Sequence, residues 1–429
     1  MRRADESSSD PGPAPGAARA PAPARAARRA PLEVLGHAQF RWLLASNLSQ
    51  YVCFQVSMLA MQWLVTELTP SRALLGAIGF AQGGTAALAS PWAGVLADRV
   101  EKRRLLLVGR GGMAALVAAM ALLIASDWIA IWQLALAAVA GGLLSALLQP
   151  ATQTAVYDLV GRERVQQAVA LNATGAGLAQ AGGPALAGLL VAGAGVLGAY
   201  LVSAGGLAAA ALALLALPLL PPRARASGAR PAFGAELREA LAHARSSPPL
   251  LLAFAACGMA IFNGCMPVMR PVFARHVLGV GSEEFGLLLS IGGVGTIAAA
   301  VLAALLPPPE RYGLRIAGSM LAFALCVLLY AGVETLPQAM AVELGLGISG
   351  QLWNVWAYAG IQLAVPDALR GRMLSLVVTL AQLGFLGQLA AGGLADAAGD
   401  RVALAVFGGI PSAALLALLC FGHRTLREI

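Results

Sequence analysis

The sequence alternates long apolar blocks with short polar connections. The apolar blocks run roughly over residues 40–66, 74–97, 105–125, 128–150, 167–192, 197–219, 250–275, 285–306, 314–332, 336–362, 373–395 and 402–421. A helix needs roughly 20 apolar residues to cross the hydrocarbon of a bilayer. Because the backbone must satisfy its own hydrogen bonds there, each block predicts a transmembrane helix. The polar stretch 220–249 divides the blocks into two sets of six.

This pattern predicts an all-α membrane protein of about twelve transmembrane helices in two pseudo-symmetric six-helix bundles. The predicted segments are a disordered cytoplasmic tail at 1–36, an N-terminal bundle at 37–219, a cytoplasmic linker at 220–249, a C-terminal bundle at 250–422 and a cytoplasmic tail at 423–429. The two sets look related, because the Arg162/Arg164 pair recurs as Arg370/Arg372. The recurrence comes about 210 residues later, which is also the offset between the two sets.

Composition supports a membrane protein and argues against two other classes. Hydrophobic residues make up 59% of the 429 and charged residues only 12%, too little charge for a soluble surface. The net charge of +8 raises the question of nucleic acid. The basic residues, however, lie between apolar blocks and form no continuous patch, so we expect anionic lipid of the bilayer as the partner and no nucleic acid.

The placement of arginine and lysine predicts the orientation, since cytoplasmic loops carry an excess of both. With a cytoplasmic N-terminus, all but four of the 29 lie on the cytoplasmic side, where Arg110 is counted with the loop after the second block. The exceptions are Arg72, Arg275 and Arg401 on the opposite side and Arg270 within a span. Both termini are therefore predicted to be cytoplasmic. The amino-acid composition is rich in Ala, Arg, Gly and Pro and contains a single lysine, which indicates a GC-rich bacterial genome. We therefore expect the protein in a bacterial inner membrane.

The end of the second block carries a recognisable motif, Gly94-Val-Leu-Ala-Asp-Arg-Val-Glu-Lys-Arg-Arg104. It resembles the loop 2–3 signature of the major facilitator superfamily of transporters. The resemblance implies a gating role for Gly94, Asp98, Arg99, Lys102, Arg103 and Arg104. Gly94 permits close approach of a neighbouring helix, and Asp98 can pair with an arginine or with the positive N-terminus of another helix. One departure is Glu101, where the superfamily often has glycine.

The fifth block contains Gly183, Pro184 and Gly188. This stretch resembles a motif of the antiporter branch of the superfamily, although its last glycine falls one residue late, and the resemblance implies export. A helix that merely packs through small residues is the alternative. The segment 158–165 resembles loop 4–5 of the macrolide-efflux and enterobactin-exporter relatives, and the overall resemblance covers about residues 33–425.

Two charged residues inside spans are candidates for ion coupling, because charge is costly in a membrane. They are Arg270 in the seventh block and Glu343 in the tenth, and a structural ion pair is as compatible with the sequence as a coupling site. No cofactor is expected beyond a proton gradient, and the gradient is implied by the family resemblance rather than by these residues.

Polar and aromatic residues inside spans are candidates to line a substrate cavity. They are Asn47, Gln50, Gln55, Gln62, Gln149, Gln153, Asn263, Gln351, Asn354 and Trp353. Gln55 and Gln62 are seven residues apart and so share a helix face. Such a lining suits a bulky, mostly neutral, amphiphilic solute, whereas any single residue of the set can instead join helices.

The sequence argues against catalysis. The only lysine, Lys102, is not part of a phosphate-binding GK[ST] loop, and the four histidines lack metal-ligand spacing. The five cysteines lie in apolar blocks without a CxxC pair, as buried apolar residues do. Gly193–Gly198 fits GxGxxG but follows no strand. No metal site and no enzyme activity are expected, and a membrane-embedded enzyme or scaffold is the least supported class.

We therefore expect a monomeric, secondary active exporter that uses a proton gradient and alternating access. Its substrate is expected to be a drug-like or siderophore-like amphiphilic small molecule. The alternative is an importer of a small nutrient with the same fold.

The predicted orientation can be tested with single cysteines in a chain from which the five native cysteines are removed. Ser227→Cys, in the linker, should react with a membrane-impermeant maleimide in inside-out vesicles and not in intact cells. Ser126→Cys, between the third and fourth blocks, should show the reverse. Labelling of Ser227→Cys in intact cells would contradict the orientation.

Overall fold

The computed structural model describes residues 33–220, 258–306, 312–364 and 383–421, without the side chains of Asp98, Arg162, Glu163, 361–364 and 421. The predicted tails and linker lie almost entirely outside these ranges. Helices α1 to α3 span Ala38–Leu68, Arg72–Arg99 and Lys102–Ala125. A helical run over Ile131–Ala213 is divided at Gly161 and Gly195 into α4 (131–160), α5 (162–194) and α6 (196–213).

The second half contains α7 (Met266–Val272), which continues into a π-helical turn at Phe273–Val277. It is followed by α8 (Ser282–Leu305), α9 (Tyr312–Tyr330), α10 (Leu336–Ala364), α11 (Gly384–Ala398) and α12 (Asp400–Phe421). Seven helical stretches in the described ranges are long and apolar enough to cross a membrane by length and composition. The predicted all-α membrane fold is confirmed.

Two glycines reverse the chain inside the helical run. Gly161 and Gly195 have φ angles of 71° and 69°, a left-handed conformation that residues with a Cβ seldom adopt. The expected loop 4–5 is therefore reduced to the single residue Gly161, since α4 continues past the end of its apolar block near residue 150. A helix can continue beyond the hydrocarbon through polar residues. The apolar pattern therefore underestimates the length of α4.

The helices form two bundles, α1–α6 and α7–α12, that meet along two seams. In one seam α2 packs on α11, and in the other α5 packs on α8. Glycines line both: a Cβ on Gly392 would overlap the carbonyl oxygen of Arg72, and a Cβ on Gly188 would lie 2.6 Å from that of Ser282. The backbones of the two bundles thus touch directly, an approach that only small residues allow.

Arg110 corrects one assignment made from the sequence. The sequence pattern places it with the basic loop after the second block, but it lies inside α3 with 1% of its surface exposed. Its guanidinium donates to Ser46 Oγ and Asn47 Oδ1 of α1, and Asn47 Nδ2 donates to Asn172 Oδ1 of α5 at 2.7 Å. The charge therefore joins α3, α1 and α5 in the interior. A charge count along the chain cannot distinguish such a residue from a loop residue one helical turn away.

We expect Arg110→Ala to lower the stability of the protein by about 2 kcal/mol, because hydrogen bonds to a charged group contribute about 1.5–3 kcal/mol and their partners would stay buried. Thermal unfolding in detergent measures the effect. Arg104→Ala is the matched control on the same helix: Arg104 is 77% exposed and pairs with Glu101 at 2.9 Å, so its loss should cost less than about 1 kcal/mol. Equal unfolding temperatures for both variants would show that Arg110 has no structural role.

Candidate functional site

One end of the paired bundles is closed by contacts between them, and we call it the sealed end. It carries the connections at 69–71, 195, 278–281 and 399. There the Asp396 carboxylate at the end of α11 accepts hydrogen bonds from Ser71 Oγ at 2.7 Å, from the Arg72 amide at 2.8 Å and from the Ala73 amide at 3.0 Å. Partial desolvation raises the pKa of Asp396, but these hydrogen bonds and the nearby charge of Arg72 outweigh it and hold the pKa below the ordinary value. The carboxylate that holds α11 to the start of α2 is therefore ionised at neutral pH.

Two ion pairs cross between the bundles at the same end. Arg72 binds Asp400 through two hydrogen bonds, Nε to Oδ1 at 2.9 Å and Nη2 to Oδ2 at 3.0 Å. Arg275 lies 3.3 Å from Glu67, which also accepts a 2.9 Å hydrogen bond from the Trp63 indole. These contacts bring α12 to α2 and α7 to α1. The end that carries the predicted external arginines is thus where the bundles are joined.

A central cavity of about 520 Å³ lies between the bundles. Its lining comes from α1, α5 and the C-terminal bundle, and includes Gln55, Gln180, Pro184, Asn263, Arg270, Thr296, Phe323, Glu343, Gln351, Trp353, Asn354 and Tyr358. Along α10 the lining extends from Glu343, near the sealed end, to Tyr358, on the side of the opposite end. The cavity therefore runs from a closed floor near the sealed end toward the end with the predicted cytoplasmic loops.

The Arg270–Glu343 pair forms the charged part of that floor. Arg270 Nε donates to Glu343 Oε1 at 2.6 Å and Nη2 donates to Oε2 at 2.9 Å. The Glu343 side chain is completely buried, whereas 25% of the Arg270 side chain is exposed. Gly292 makes room for the carboxylate, since a Cβ there would lie 3.1 Å from Glu343 Oε2. The bidentate geometry neutralises both charges in an apolar setting.

Aromatic residues separate this ion pair from the sealed end. Tyr330 and Phe273 are fully buried and pack edge to face with ring centroids 5.4 Å apart. Within the described residues, the Tyr330 hydroxyl is buried and has no hydrogen-bond partner. These rings separate the ion pair from the sealed end, so the described cavity extends from the pair along α10 toward Tyr358.

The structure brings together part of the predicted cavity set. Gln55, Asn263, Gln351, Trp353 and Asn354 line the central cavity, together with both coupling candidates. Gln180, Thr296 and Tyr358 also line it and were not singled out from the sequence. Gln180 is a polar residue in an otherwise apolar block, and that position was the sequence signal that could have identified it as a cavity residue.

Other predicted cavity residues lie elsewhere. Gln62 lines a second cavity of about 260 Å³ between α1, α2, α4, α7 and α11. It lies about 10 Å along the helix axis from Gln55, although both share a face. Asn47 packs inside the N-terminal bundle, and Gln50 is half-buried with an unpartnered Oε1 among the described residues. Gln149 and Gln153 are exposed on α4 and are absent from the lining of both cavities.

The basic residues of the predicted gating motif bind their own bundle. Lys102 is buried and pairs with Asp158 of α4, Arg103 Nη2 donates to the Leu215 carbonyl at 2.8 Å, and Arg104 pairs with Glu101. Arg99 is exposed and Gly94 is half-buried at the end of α2. The Asp98 side chain lies outside the described part of the chain, so its predicted contact is not addressed.

The antiporter-like motif lies where α5 meets two neighbours. A Cβ on Gly183 would lie 2.7 Å from the Cβ of Gln55 in α1, whereas Gly188 touches α8 of the other bundle. Pro184 lines the central cavity between these two contacts. The motif therefore links the cavity wall to the α5–α8 seam.

Two helical bundles around a central cavity that is closed at one end define a membrane transporter of a small solute. The sequence-family model described as Major Facilitator Superfamily matches residues 43–387. The chain therefore belongs to the major facilitator superfamily.

Solved structures agree with this fold. A POT family transporter in complex with 5-aminolevulinic acid superposes with a TM-score of 0.71 at 12% identity, over 90% of this chain and 96% of that chain. The nucleoside transporter NupG gives 0.69 at 14% identity, over 89% and 98%. A bacterial homolog of the human lysosomal transporter Spinster, inward-facing and unoccupied, gives 0.65 at 15% identity, over 91% and 95%. No curated protein sequence matched this chain.

Removal of one partner from the Arg270–Glu343 pair should lower the stability of the protein. Arg270→Ala should cost about 3–5 kcal/mol, because it leaves a buried carboxylate without a partner. The double variant Arg270→Ala/Glu343→Gln should recover most of that loss, because the uncompensated charge is gone. Thermal unfolding in detergent at neutral pH measures both.

The matched control is Arg401→Ala, which breaks the exposed Arg401–Glu334 pair at 3.5 Å and should cost less than about 1 kcal/mol. A double variant as unstable as Arg270→Ala would show that burial of unpaired charge is not the cause.

Proposed function

We propose that this protein is a proton-coupled secondary active exporter of an amphiphilic, drug-like or siderophore-like small molecule, working by alternating access. The observation that carries the proposal is the fully buried Glu343 carboxylate, paired with Arg270 at the floor of the central cavity. A buried carboxylate whose charged partner, Arg270, lines the cavity is suited to exchange a proton for a solute.

Alternating access requires the closed end and the open end to exchange. Separation of the α2–α11 and α5–α8 seams at the sealed end would expose the central cavity to that side. If the sealed end is the external one, as the basic residues predict, closure there corresponds to the cytoplasm-facing state, in which an exporter loads its substrate.

Protonation of Glu343 supplies the coupling. The ionised carboxylate neutralises Arg270 through two hydrogen bonds, whereas the protonated acid leaves the guanidinium as a net positive charge in the cavity. A cationic solute is then repelled, and a neutral solute must displace the water held by the bare guanidinium. Proton and solute therefore weaken each other's binding, and by linkage this mutual exclusion produces antiport.

The remaining lining suits an amphiphile. Trp353 and Phe323 pack with ring centroids 5.9 Å apart and offer apolar surface. Asn263, Gln351 and Asn354 add neutral hydrogen-bonding groups. The antiporter-like motif around Pro184 adds the sequence argument for export.

A second candidate, an importer of a small anionic nutrient, is favoured by one observation. A quarter of the Arg270 side chain is exposed, on the cavity wall, while Glu343 is buried behind it. An anionic solute would bind the guanidinium more tightly once Glu343 is protonated. Proton and solute would then be carried together, and an inward proton gradient would drive import.

The test compares bacterial cells that express the parent protein, Glu343→Gln or an empty vector, by untargeted mass spectrometry of cells and medium. Export predicts a solute depleted in cells and enriched in the medium only with the parent protein, and a protonophore should abolish the difference. Glu343→Gln should reduce the gradient-driven flux to the vector level, because a glutamine cannot exchange a proton.

Glu334→Gln is the matched control, since Glu334 is an exposed carboxylate outside the cavity, and it should transport like the parent. Enrichment inside the cells would select the importer. A flux that the protonophore leaves unchanged would reject proton coupling.

A further inference from the structure

The first turn of α2 depends on the other bundle for its hydrogen bonds. The first four amides of a helix have no partner within it. At α2 the Ser71 amide donates to Thr69 Oγ1 at 3.1 Å and the Leu74 amide donates to Ser71 Oγ at 3.3 Å. The two amides between them, those of Arg72 and Ala73, both donate to the Asp396 carboxylate of α11. Half of this helix start is thus capped by a residue of the opposite bundle.

A short sequence of the form Gly-x-Leu-Ala-Asp lies near the end of both helices of this seam. Gly94-Val95-Leu96-Ala97-Asp98 lies at the end of α2, and Gly392-Gly393-Leu394-Ala395-Asp396 lies at the end of α11. In the α11 copy the glycine packs against the Arg72 backbone, and the aspartate one turn later caps α2. The two features expected of the gating motif, a close-packing glycine and a carboxylate facing a helix start, are therefore observed at Gly392 and Asp396, at the opposite end of the seam from Asp98.

We propose that Asp396 is the latch that holds the sealed end shut, and that it does so by capping α2 across the two bundles. The inference rests on the alternating access of the proposed function, but on neither its substrate nor its proton coupling. An ionised carboxylate bound to backbone amides at a helix start gains from both the hydrogen bonds and the helix dipole. The neighbouring Arg72–Asp400 pair adds to the closed state on the same two segments.

The exposure of Asp396 makes this contact reversible. The residue is exposed to solvent, so water can replace its three hydrogen bonds when the bundles separate. The free-energy difference between the closed and open ends then stays small enough for a transport cycle.

The latch can be tested by side-specific labelling. In a chain without its five native cysteines, Thr296→Cys places one thiol in the central cavity. A membrane-impermeant maleimide is applied to intact cells and to inside-out vesicles, without substrate or proton gradient. The side with fast labelling identifies the open end, and slow labelling from the other side reports opening of the sealed end.

Asp396→Ala should raise labelling from the sealed side roughly fivefold, the population change that corresponds to loss of one helix cap. Asp396→Asn should give a smaller rise, because its amide oxygen still accepts a hydrogen bond but carries no charge. Glu334→Ala is the matched control, since Glu334 is a carboxylate at the same end that pairs within one bundle, and its labelling should equal that of the parent.

Unchanged sealed-side labelling in both Asp396 variants would overturn the latch, as would an equal rise from both sides, which indicates general loosening. Asp396→Asn keeps the size and shape of the side chain, so it serves if Asp396→Ala does not fold, as judged by gel filtration. Because the assay needs no solute, failure of the export proposal leaves this result unaffected. A normal proton-driven flux together with unchanged labelling would reject the latch role of Asp396 and leave the export proposal standing.

Discussion

The bidentate pair between Arg270 and Glu343 is the interaction on which the cavity depends. Charges inside an apolar bundle persist only when they are paired and hydrogen-bonded, and this pair satisfies that condition with two short hydrogen bonds. Gly292 leaves space for the carboxylate, and Tyr330 and Phe273 shield it from the sealed end. A change in the protonation of Glu343 would therefore change the net charge at the floor of the cavity.

The closed end is held by contacts of a different kind, because it lies where water is available. Direct backbone packing at Gly188 and Gly392 brings the bundles together, and polar contacts hold them there, those of Asp396 exposed and that of Asp400 half-buried. Close packing fixes the geometry of the seam, while contacts that water can replace keep the free-energy difference between closed and open ends small. This division suits a protein that must open and close at the same surface many times.

Much of the fold could be predicted because each membrane span is identified by the apolar composition of its own segment. The apolar blocks placed the described helices, and the scarcity of charge inside them directed attention to Arg270 and Glu343. The same local reasoning was wrong about Arg110, which is an interior residue, and it grouped Gln62 with Gln55 although they line different cavities. Helical periodicity states which face a residue occupies, but not which neighbour that face meets or at what depth.

The sequence by itself determined that this chain is a helical membrane protein, roughly where its spans lie, and that Arg270 and Glu343 are charges inside spans that need a partner. These are properties of single segments in contact with lipid, so they follow from composition and periodicity. Only the tertiary structure decided that Glu343 is the buried member of its pair, which end is closed, and that Asp396 reaches the start of α2. That last contact joins residues 324 positions apart, and it exists only because glycines let two bundles approach within backbone contact.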